Sequence, residues 1–378
     1  MKLNGVIEPS VINRYEARRL DETKLECYRA TSSRFSEADF GKQIYMPTID
    51  QQRIAIDKVR PSWPQSAPFA VCLTHDVDNV AWHSPRIHSR SMVSQARHLL
   101  NNTIERRALG ALKSSMTSLV GSLVKGHRPD PLHCYEQWLE IEAEFNAKST
   151  FLFLPDVYDQ PHYSDGGYRY SDLIRFDGAR CTVAEMIREI HDRGWEIGLH
   201  PSWHTYCNAS TLRRDKECLE AVIQAPVVSA RQHFLHFDIR CTPQAYQDAG
   251  LLYDSSLGFN DDVGFRSGTC WPFELADWQS QSRVQVTELP LVIQDKCLTK
   301  IVGQGDAQRS LDLGMEIADR VEAVGGVLTL LWHPRLINDP LSMEVYHGLL
   351  DGLKRRGAWF GTMQEVGKWW AKECVQWT

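Results

Sequence analysis

Two carboxylates stand one residue apart at the end of an apolar run, in Phe69-Ala-Val-Cys-Leu-Thr-His-Asp-Val-Asp78. The run of apolar, β-prone residues predicts a buried parallel strand. Because side chains alternate along a strand, Asp76 and Asp78 point to one side while Val77 points to the other. Strand ends are where α/β folds place active sites, so this pair could hold a cation, or divide into one ligand and one base. An Asx-rich turn after a core strand is the alternative interpretation of the segment.

A second strand-like run ends in two histidines, in Gly194-Trp-Glu-Ile-Gly-Leu-His-Pro-Ser-Trp-His204. His200 and His204 are four residues apart, which places both imidazoles on one face if the chain turns helical there. Imidazole together with carboxylate suits zinc or a similar divalent ion. A histidine pair at this spacing is more often structural, but in combination with the Asp-x-Asp strand end it favours a metal site.

Strand patterns alternate with helix patterns along most of the chain. Further strands are predicted by the apolar runs Ser149–Pro155, Leu251–Ser256, Val286–Ile293, Val327–His333 and Trp359–Thr362. Seven strand candidates separated by helices indicate parallel βα units, and a closed or nearly closed barrel is the natural architecture.

Two segments stand outside this alternation. Residues 1–66 are polar and end in a Pro/Ser cluster, and we expect a small N-terminal extension before a barrel domain that spans residues 67–378. Residues from about 81 to 131 are rich in Arg, His, Lys and Ser, with apolar residues at helical intervals, and predict a helical insertion after the first barrel strand. Its positive charge could guide an anionic ligand, and a solvated helix face is the alternative.

The composition excludes several classes of partner. With a net charge of −6, the chain lacks the excess of basic residues that binding to nucleic acid requires. We found no run of apolar residues long enough for a membrane span or a signal peptide, so we expect a cytoplasmic protein. The ten cysteines show neither a Cys-x-x-Cys pair nor the spacing of a disulfide framework, and we expect them to be reduced thiols. The twelve Trp and twelve Tyr are many for this length and favour a cleft that holds a sugar-like ligand.

Four segments, each at the end of a predicted strand, resemble in their order the motif series of the polysaccharide deacetylases, the NodB-homology superfamily. They are Thr74-His-Asp-Val-Asp78, His200-Pro-Ser-Trp-His204, Arg231-Gln-His-Phe234 and Leu330-Leu-Trp-His333. The resemblance spans roughly residues 69 to 335. It implies an α/β fold, a distorted (β/α)7 NodB-type barrel, and a hydrolase that removes acetyl groups from sugars with a divalent metal, commonly zinc.

The chain departs from the family pattern at three points. Val77 separates two aspartates that are usually adjacent. Pro201 displaces the usual Ser/Thr, which comes one place later as Ser202, and His233 stands where many relatives carry Pro.

Carried over residue by residue, the resemblance implies a metal site and a base. Asp78, His200 and His204 match the metal ligands, and Zn²⁺ is the expected ion. Asp76 matches the general base, and Arg231 matches the arginine that holds it. An adjacent guanidinium would favour the charged form of that carboxylate and fix its orientation.

The resemblance also implies groups for the acyl part of the substrate and for the leaving group. Phe234 matches the aromatic residue whose backbone N–H helps to bind the oxyanion, and Leu330 matches the leucine that shapes the acetyl pocket. His333 matches the general acid, a role that suits an imidazole near neutral pH. A carboxylate often tunes this histidine in the family, and the sequence leaves Asp254, Asp261 and Asp262 as candidates.

The segment at residues 264–273 is dense in Gly, aromatic and Arg residues. Arg266 and Trp271 could contact an anionic group and a sugar face respectively. A well-packed surface loop is the alternative. Likewise Trp203 could stack on a sugar ring or pack beneath the metal site.

These observations favour a metal-dependent hydrolase that removes an acetyl group from an N-acetylated sugar, in the making of a surface polysaccharide such as O-antigen or capsule. Cytoplasmic placement would favour a nucleotide- or lipid-linked sugar, or a short glycan. Two alternatives stay open: hydrolysis of another linear amide C–N bond, and a glycan-binding protein that has lost turnover.

Overall fold

The computed structural model describes residues 45–57, 60–101, 106–125, 130–156, 162, 165–280, 282–302 and 305–374. Its strands are β1 (Ala70–Val77), β2 (Thr150–Phe153), β3 (Leu173–Phe176), β4 (Ala179–Thr182), β5 (Glu196–Leu199), β6 (Ser229–Ala230), β7 (Tyr253–Asp254), β8 (Phe273–Ala276), β9 (Arg283–Glu288), β10 (Leu291–Gln294), β11 (Val327–Leu331) and β12 (Trp359–Gly361). Its helices are α1 (Thr48–Asp57), α2 (Pro85–Asn101), α3 (Arg106–Lys125), α4 (Tyr135–Glu144), α5 (Val183–Asp192), α6 (Ala209–Ile223), α7 (Thr242–Ala249), α8 (Asp295–Ile301), α9 (Ala307–Val324), α10 (Pro340–Arg355) and α11 (Met363–Cys374).

Most of the strands form one curled sheet in the order β10-β11-β1-β2-β5-β6-β7-β9-β8, with β12 paired to β1. Every pairing in it is parallel except that of β8 with β9. Strands β3 and β4 form a separate antiparallel hairpin. The structure confirms the expected α/β fold of distorted barrel type.

Strand β1 lies in the middle of the sheet, and all of its residues are buried. Sheets with helices on their faces require such apolar strands, since neither face of the strand meets water. The helices show the complementary pattern. In α5 the buried residues Val183, Met186, Ile187 and Ile190 form one stripe, and a capping box between Thr182 and Glu185 begins the helix.

The register brings the carboxyl ends of the central strands to one edge of the sheet. Val77 at the end of β1 lies opposite Phe153 of β2, which lies opposite Leu199 of β5, which in turn lies opposite Ala230 of β6. The residues that follow these positions are therefore neighbours in space although they are far apart in sequence.

Three features differ from the expectations. The run Val286–Ile293 forms two strands, β9 and β10, with Pro290 between them, because proline cannot donate a ladder hydrogen bond. Strand β8, which begins at Phe273, and helix α8 were not among the predicted elements.

The expectation that all cysteines are reduced thiols is wrong for one pair. Cys207 and Cys241 form a disulfide with their Cα atoms 5.3 Å apart, at the N-terminal ends of α6 and α7. The free cysteines of the described residues are Cys72, Cys134, Cys181, Cys218, Cys270 and Cys297.

The N-terminal extension is described only from residue 45, and its earlier part lies outside the described residues. Helix α1 packs on the barrel through Asp50, which accepts a hydrogen bond from the backbone N–H of Cys270 at 2.8 Å. The insertion contains α2 and α3, which pack against each other and are called the inserted helix pair below. None of the described helices combines the length and the apolar character that a membrane crossing requires.

Candidate active site

Three side chains from three different strand ends converge at the carboxyl edge of the sheet. Asp78 follows β1, His200 follows β5 and His233 follows β6, and their ligand atoms all lie within 4.8 Å of one another. Asp78 Oδ1 is 3.5 Å from His200 Nε2 and 3.6 Å from His233 Nε2. These distances are long for hydrogen bonds and close to the ~3.3 Å that separates ligands around a tetrahedral ion.

The surroundings of the cluster fit a cation. Asp78 Oδ1 is buried and has no hydrogen-bond partner among the described residues, an arrangement that costs free energy unless something else binds the oxygen. Burial alone would raise the pKa of Asp78, but His200, His333, Arg335 and His233 hold the pKa of this carboxyl well below its ordinary value. The oxygen is therefore charged and available as a ligand.

Both imidazoles are oriented by a hydrogen bond at the other ring nitrogen. His200 Nδ1 lies 2.6 Å from the carbonyl oxygen of Arg231, and His233 Nδ1 lies 3.0 Å from Asp165 Oδ1. Because carbonyl and carboxylate oxygens only accept, each Nδ1 carries a hydrogen, so each Nε2, once deprotonated, can offer its lone pair to a cation bound beside Asp78. Such support is typical of histidines that bind metals.

Asp165 belongs to the site, although the sequence patterns gave no reason to single it out. Its carboxylate accepts hydrogen bonds from Ser202 Oγ at 2.6 Å and from the His162 N–H at 2.7 Å. Burial would raise its pKa, but the hydrogen bond and charge of His233 and the hydroxyl of Ser202 lower it. Asp165 thus stays ionised and fixes the ring of His233.

The structure does not bring His204 into this cluster, so the expected ligand set is corrected from His204 to His233. The prediction required a helical turn after His200, but Pro201 follows it and α6 begins only at Ala209. His204 is exposed, and its ring packs edge-on against Trp203 with centroids 4.9 Å apart. The available signal for His233 was its position three residues after a strand end.

Asp76 lies beside the cluster and is held by Arg231. Arg231 Nη1 donates to Asp76 Oδ1 at 2.9 Å and to Thr74 Oγ1 at 2.8 Å, while its Nε donates to the carbonyl oxygen of Ser255 at 2.7 Å. Asp76 Oδ2 lies 3.8 Å from His200 Nε2. One carboxylate oxygen is therefore fixed by a buried guanidinium, while the other faces the cluster.

His333 lies near Asp78 as well, at the other oxygen of that carboxylate. Its Nε2 lies 3.7 Å from Asp78 Oδ2, while its Nδ1 lies 2.7 Å from Asp295 Oδ2. Asp295 also accepts a hydrogen bond from the His333 backbone N–H at 2.6 Å. Burial would raise the pKa of Asp295, but His333 and Arg335 lower it.

Asp295, the first residue of α8, is therefore the carboxylate partner of His333. None of the three candidates from the sequence has this role. Asp254 accepts from Ser256 Oγ, Asp262 accepts from Tyr45, and Asp261 lines the cleft. Asp295 directly follows β10, so the rule that placed Asp76 at a strand end could also have found it.

These groups line a cleft of about 790 Å³, whose walls come from the barrel and from the inserted helix pair. Arg335 also lines it, and its Nη1 donates to Asp78 Oδ2 at 2.5 Å. Lys296 and Lys300 of α8 add positive charge. The aromatic residues of the wall are Trp82, Trp203 and Phe234.

Leu331 and Leu235 line the cleft, whereas Leu330 does not, which corrects another expectation. Leu331 forms a small apolar cluster with Leu235 and Leu291, whereas Leu330 packs in the main core. Adjacent residues of a strand point to opposite faces, so a motif match that is off by one residue selects the wrong side.

Phe234 lies in the cleft wall within a short turn, and its φ of 58° and ψ of 23° are in the left-handed region. Trp203 also lines the cleft and stacks on His236 and His162, with centroids 3.8 Å and 4.4 Å away. It is thus part of the wall and is fixed by its neighbours.

Arg266 and Trp271 are buried and do not line the cleft, so their expected role as substrate contacts is not supported. Arg266 Nη1 donates to the carbonyl oxygen of Gly258 at 2.9 Å, and Trp271 Nε1 donates to that of Val324 at 3.1 Å. Both side chains hold their segment against the barrel, as in the packed-loop alternative.

Several solved structures are similar in fold, and three of them are compared with this chain. One from Mycobacterium smegmatis, assigned to the polysaccharide deacetylases, has a TM-score of 0.53 at 20% identity and covers 84% of this chain and 94% of that chain. The PuuE allantoinase has a TM-score of 0.53 at 14% identity, and the match covers 84% of this chain and 95% of the allantoinase chain. A structure from Pseudomonas aeruginosa PAO1, also assigned to the polysaccharide deacetylases, has a TM-score of 0.50 at 13% identity and covers 83% and 95%.

The chain has the polysaccharide deacetylase fold. A scan of the sequence against protein-family models gives no match, and neither does a search of curated proteins. The likeness therefore concerns architecture, and the chemistry has to be argued from the side chains in the cleft.

Proposed function

We propose that this protein is a metal-dependent hydrolase that removes an acetyl group from an N-acetylated sugar. The observation that carries the proposal is the convergence of three features in one cleft. The Asp78/His200/His233 cluster includes Asp78 Oδ1, which has no hydrogen-bond partner within the described part of the chain, and beside it lie a carboxylate, Asp76, and an imidazole, His333, that each have a supporting partner. The two histidines and one carboxylate suit Zn²⁺ and leave coordination positions for water and substrate. The bound ion would lower the pKa of water and polarise the substrate carbonyl.

The protein groups would divide the proton transfers between them. Asp76 would accept the proton of the attacking water, because Arg231 fixes one of its oxygens and leaves the other toward the cluster. His333 would donate from Nε2 to the leaving amine, because its Nδ1 is occupied by Asp295. The backbone N–H of Phe234 would help to stabilise the oxyanion, a contribution of about 3 kcal/mol where such donors have been removed.

The cleft wall supports a sugar that carries an anionic group. Trp82, which lines the cleft and is exposed, offers an apolar surface to a sugar ring. Lys296 and Lys300 supply cations that a phosphate would bind. We therefore propose a nucleotide- or lipid-linked N-acetylated sugar as the substrate, in the cytoplasm and on the way to a surface polysaccharide.

The test is acetate release from N-acetylated sugar donors, measured together with the metal content of the same preparation. Asp76→Asn should lower turnover by about 10²–10⁴-fold while the metal stays bound. Asp277→Asn, in a turn outside the cleft, is the matched control and should keep full activity.

Two other results would assign a different function. If wild type releases no acetate but hydrolyses other linear amides, and Asp76→Asn abolishes that activity, the protein is a hydrolase of a different C–N bond. If wild type binds glycan and metal but turns over neither class of compound, the protein is a binding relative and the proposal fails.

A further inference from the structure

The inserted helix pair is strongly basic within an acidic protein. Between residues 79 and 129 the sequence has eight Lys or Arg and a single acidic residue, Glu105, whereas the whole chain carries a net charge of −6. Exposed cations in this part of the structure include Arg86 and Arg97 on α2 and Lys113 on α3. This segment is therefore basic because it has almost no acidic residues to balance its cations.

The same element exposes an apolar stripe. On α3, Leu109, Met116, Val120 and Leu123 are 48%, 51%, 62% and 67% exposed. They are seven, four and three residues apart, which places them on one face of the helix. On α2, Val93 and Leu100 are also exposed and lie two turns apart.

This exposure is concentrated rather than scattered. Of the twelve exposed large hydrophobic residues in the described part of the chain, seven lie between Trp82 and Leu123. Isolated exposed apolar residues need no explanation, but a stripe bordered by cations marks an interaction surface.

The opposite side of the pair is fixed to the barrel. Arg90 of α2 contacts both carboxylate oxygens of Asp172, at 2.5 and 2.6 Å. Ser91 and Gln95 of α2, with Ser115 and Ser118 of α3, line the cleft. The pair therefore has an inner face toward the candidate active site and an outer face that is apolar and basic.

We propose that the outer face of the inserted helix pair binds the surface of a membrane rich in anionic phospholipid. Helices with an apolar stripe and a Lys/Arg border lie in the interfacial plane, with the apolar side chains among the acyl chains and the cations near the headgroups. The pair lies on the membrane and does not cross it, in agreement with the absence of a spanning helix among the described residues. A second copy of the chain is a poorer occupant, because two basic faces would repel each other.

Docking in this way places the cleft about one helix diameter, ~10 Å, from the membrane surface. A lipid-carried sugar could then reach the cluster without leaving the bilayer. This last step rests on the proposed function, whereas binding to the membrane does not.

Vesicle flotation with the full-length protein tests the proposal. Vesicles of phosphatidylcholine alone are compared with vesicles that contain about 30 mol % phosphatidylglycerol, at low and high salt. The apolar variant is Leu109→Ser/Met116→Ser/Val120→Ser/Leu123→Ser, and the charge variant is Arg97→Glu/Lys113→Glu. The matched control, Leu173→Ser/Leu252→Ser, changes exposed leucines elsewhere on the barrel.

We expect wild type and control to float with the anionic vesicles at low salt and not with the neutral ones. The apolar and charge variants should each lose binding by more than about tenfold while their melting temperatures match the wild type. Wild type that stays unbound at low salt, or an apolar variant that binds like the control, would overturn the proposal. So would a wild-type dimer that the apolar variant converts to a monomer, because the stripe would then belong to a second copy.

Discussion

Strand β1 carries a histidine–carboxylate cluster on each of its two faces, and the clusters differ in how completely their polar atoms are paired. On the helix side, His75 Nδ1 lies 2.6 Å from the carbonyl oxygen of Trp332, and its Nε2 lies 2.7 Å from Glu142 Oε1. Glu142 also accepts from Trp195 Nε1 at 2.6 Å and from the hydroxyl of Tyr346 at 3.0 Å. Both ring nitrogens and both carboxylate oxygens are satisfied.

On the cleft side, a cluster of the same residue types has polar atoms that lack a close hydrogen-bond partner. Asp78 Oδ1 has no hydrogen-bond partner among the described residues, and the Nε2 atoms of His200 and His233 face it at 3.5 and 3.6 Å. A complete buried network stabilises a fold, whereas an incomplete one needs a ligand. The comparison therefore predicts that one cluster governs stability and the other governs metal binding.

The largest effect should come from the ligands of the open cluster. We expect His233→Ala to reduce the metal content from about one ion per chain to near zero, because the site loses a ligand. His204→Ala is the matched control and should keep the metal, since His204 is exposed and outside the cluster. Elemental analysis of both purified variants measures this. Retention of metal in His233→Ala with loss in His204→Ala would restore the original ligand assignment.

The closed cluster should respond in stability instead. Glu142→Ala leaves His75 buried without its carboxylate, and we expect a loss of about 3–5 kcal/mol in the free energy of unfolding. Glu142→Gln keeps one hydrogen bond to His75 and should cost less. Urea unfolding gives the stabilities, and elemental analysis should show an unchanged metal content in the folded variants. A loss of metal in Glu142→Gln would show that the two faces are coupled.

Asp165 should have an intermediate effect on the open cluster. Asp165→Asn weakens the support of His233 without removing a ligand, so we expect metal affinity to fall by about 10–100-fold. Competition with a chelator of known affinity measures this change. The melting temperature of the metal-free protein should change little, and a large decrease would mean that Asp165 acts on the fold and not on the metal.

The smallest effect, counted per pH unit, concerns another buried carboxylate, Asp50, which accepts hydrogen bonds from Thr269 and Cys270. Burial raises its pKa from 3.8 to about 7, so the folded state binds the proton more tightly than the unfolded state. Its stability contribution is fully present below about pH 4 and is lost as the pH rises toward 7. We expect wild type to lose about 1 kcal/mol per pH unit relative to Asp50→Asn between pH 5 and 7, and no more above 8. Urea unfolding of both proteins across this range measures it, and parallel pH profiles would contradict the assignment.

The chemistry of the cleft was partly predictable from local sequence. Asp76, Asp78, His200 and His333 each end or follow an apolar strand pattern, and parallel strands bring such ends together. The assignment of His204 failed because residues 201–208 turn without forming a helix. Asp295 was missed because the predicted strand ended at Ile293, two residues before it, and because the 7-residue helix α8 is too short for a periodic apolar pattern that would mark the turn.

The sequence by itself determined the alternation of strands and helices, the basic insertion, and the segments that meet at the carboxyl edge of the sheet. Apolar periodicity and composition are local properties, so they can be recognised without knowledge of the contacts. Only the tertiary structure decided that His233 faces Asp78, that Leu331 faces the cleft, and that Asp295 supports His333. Each of these depends on the register of neighbouring strands or on one turn, where a shift of a single residue reverses the direction of a side chain.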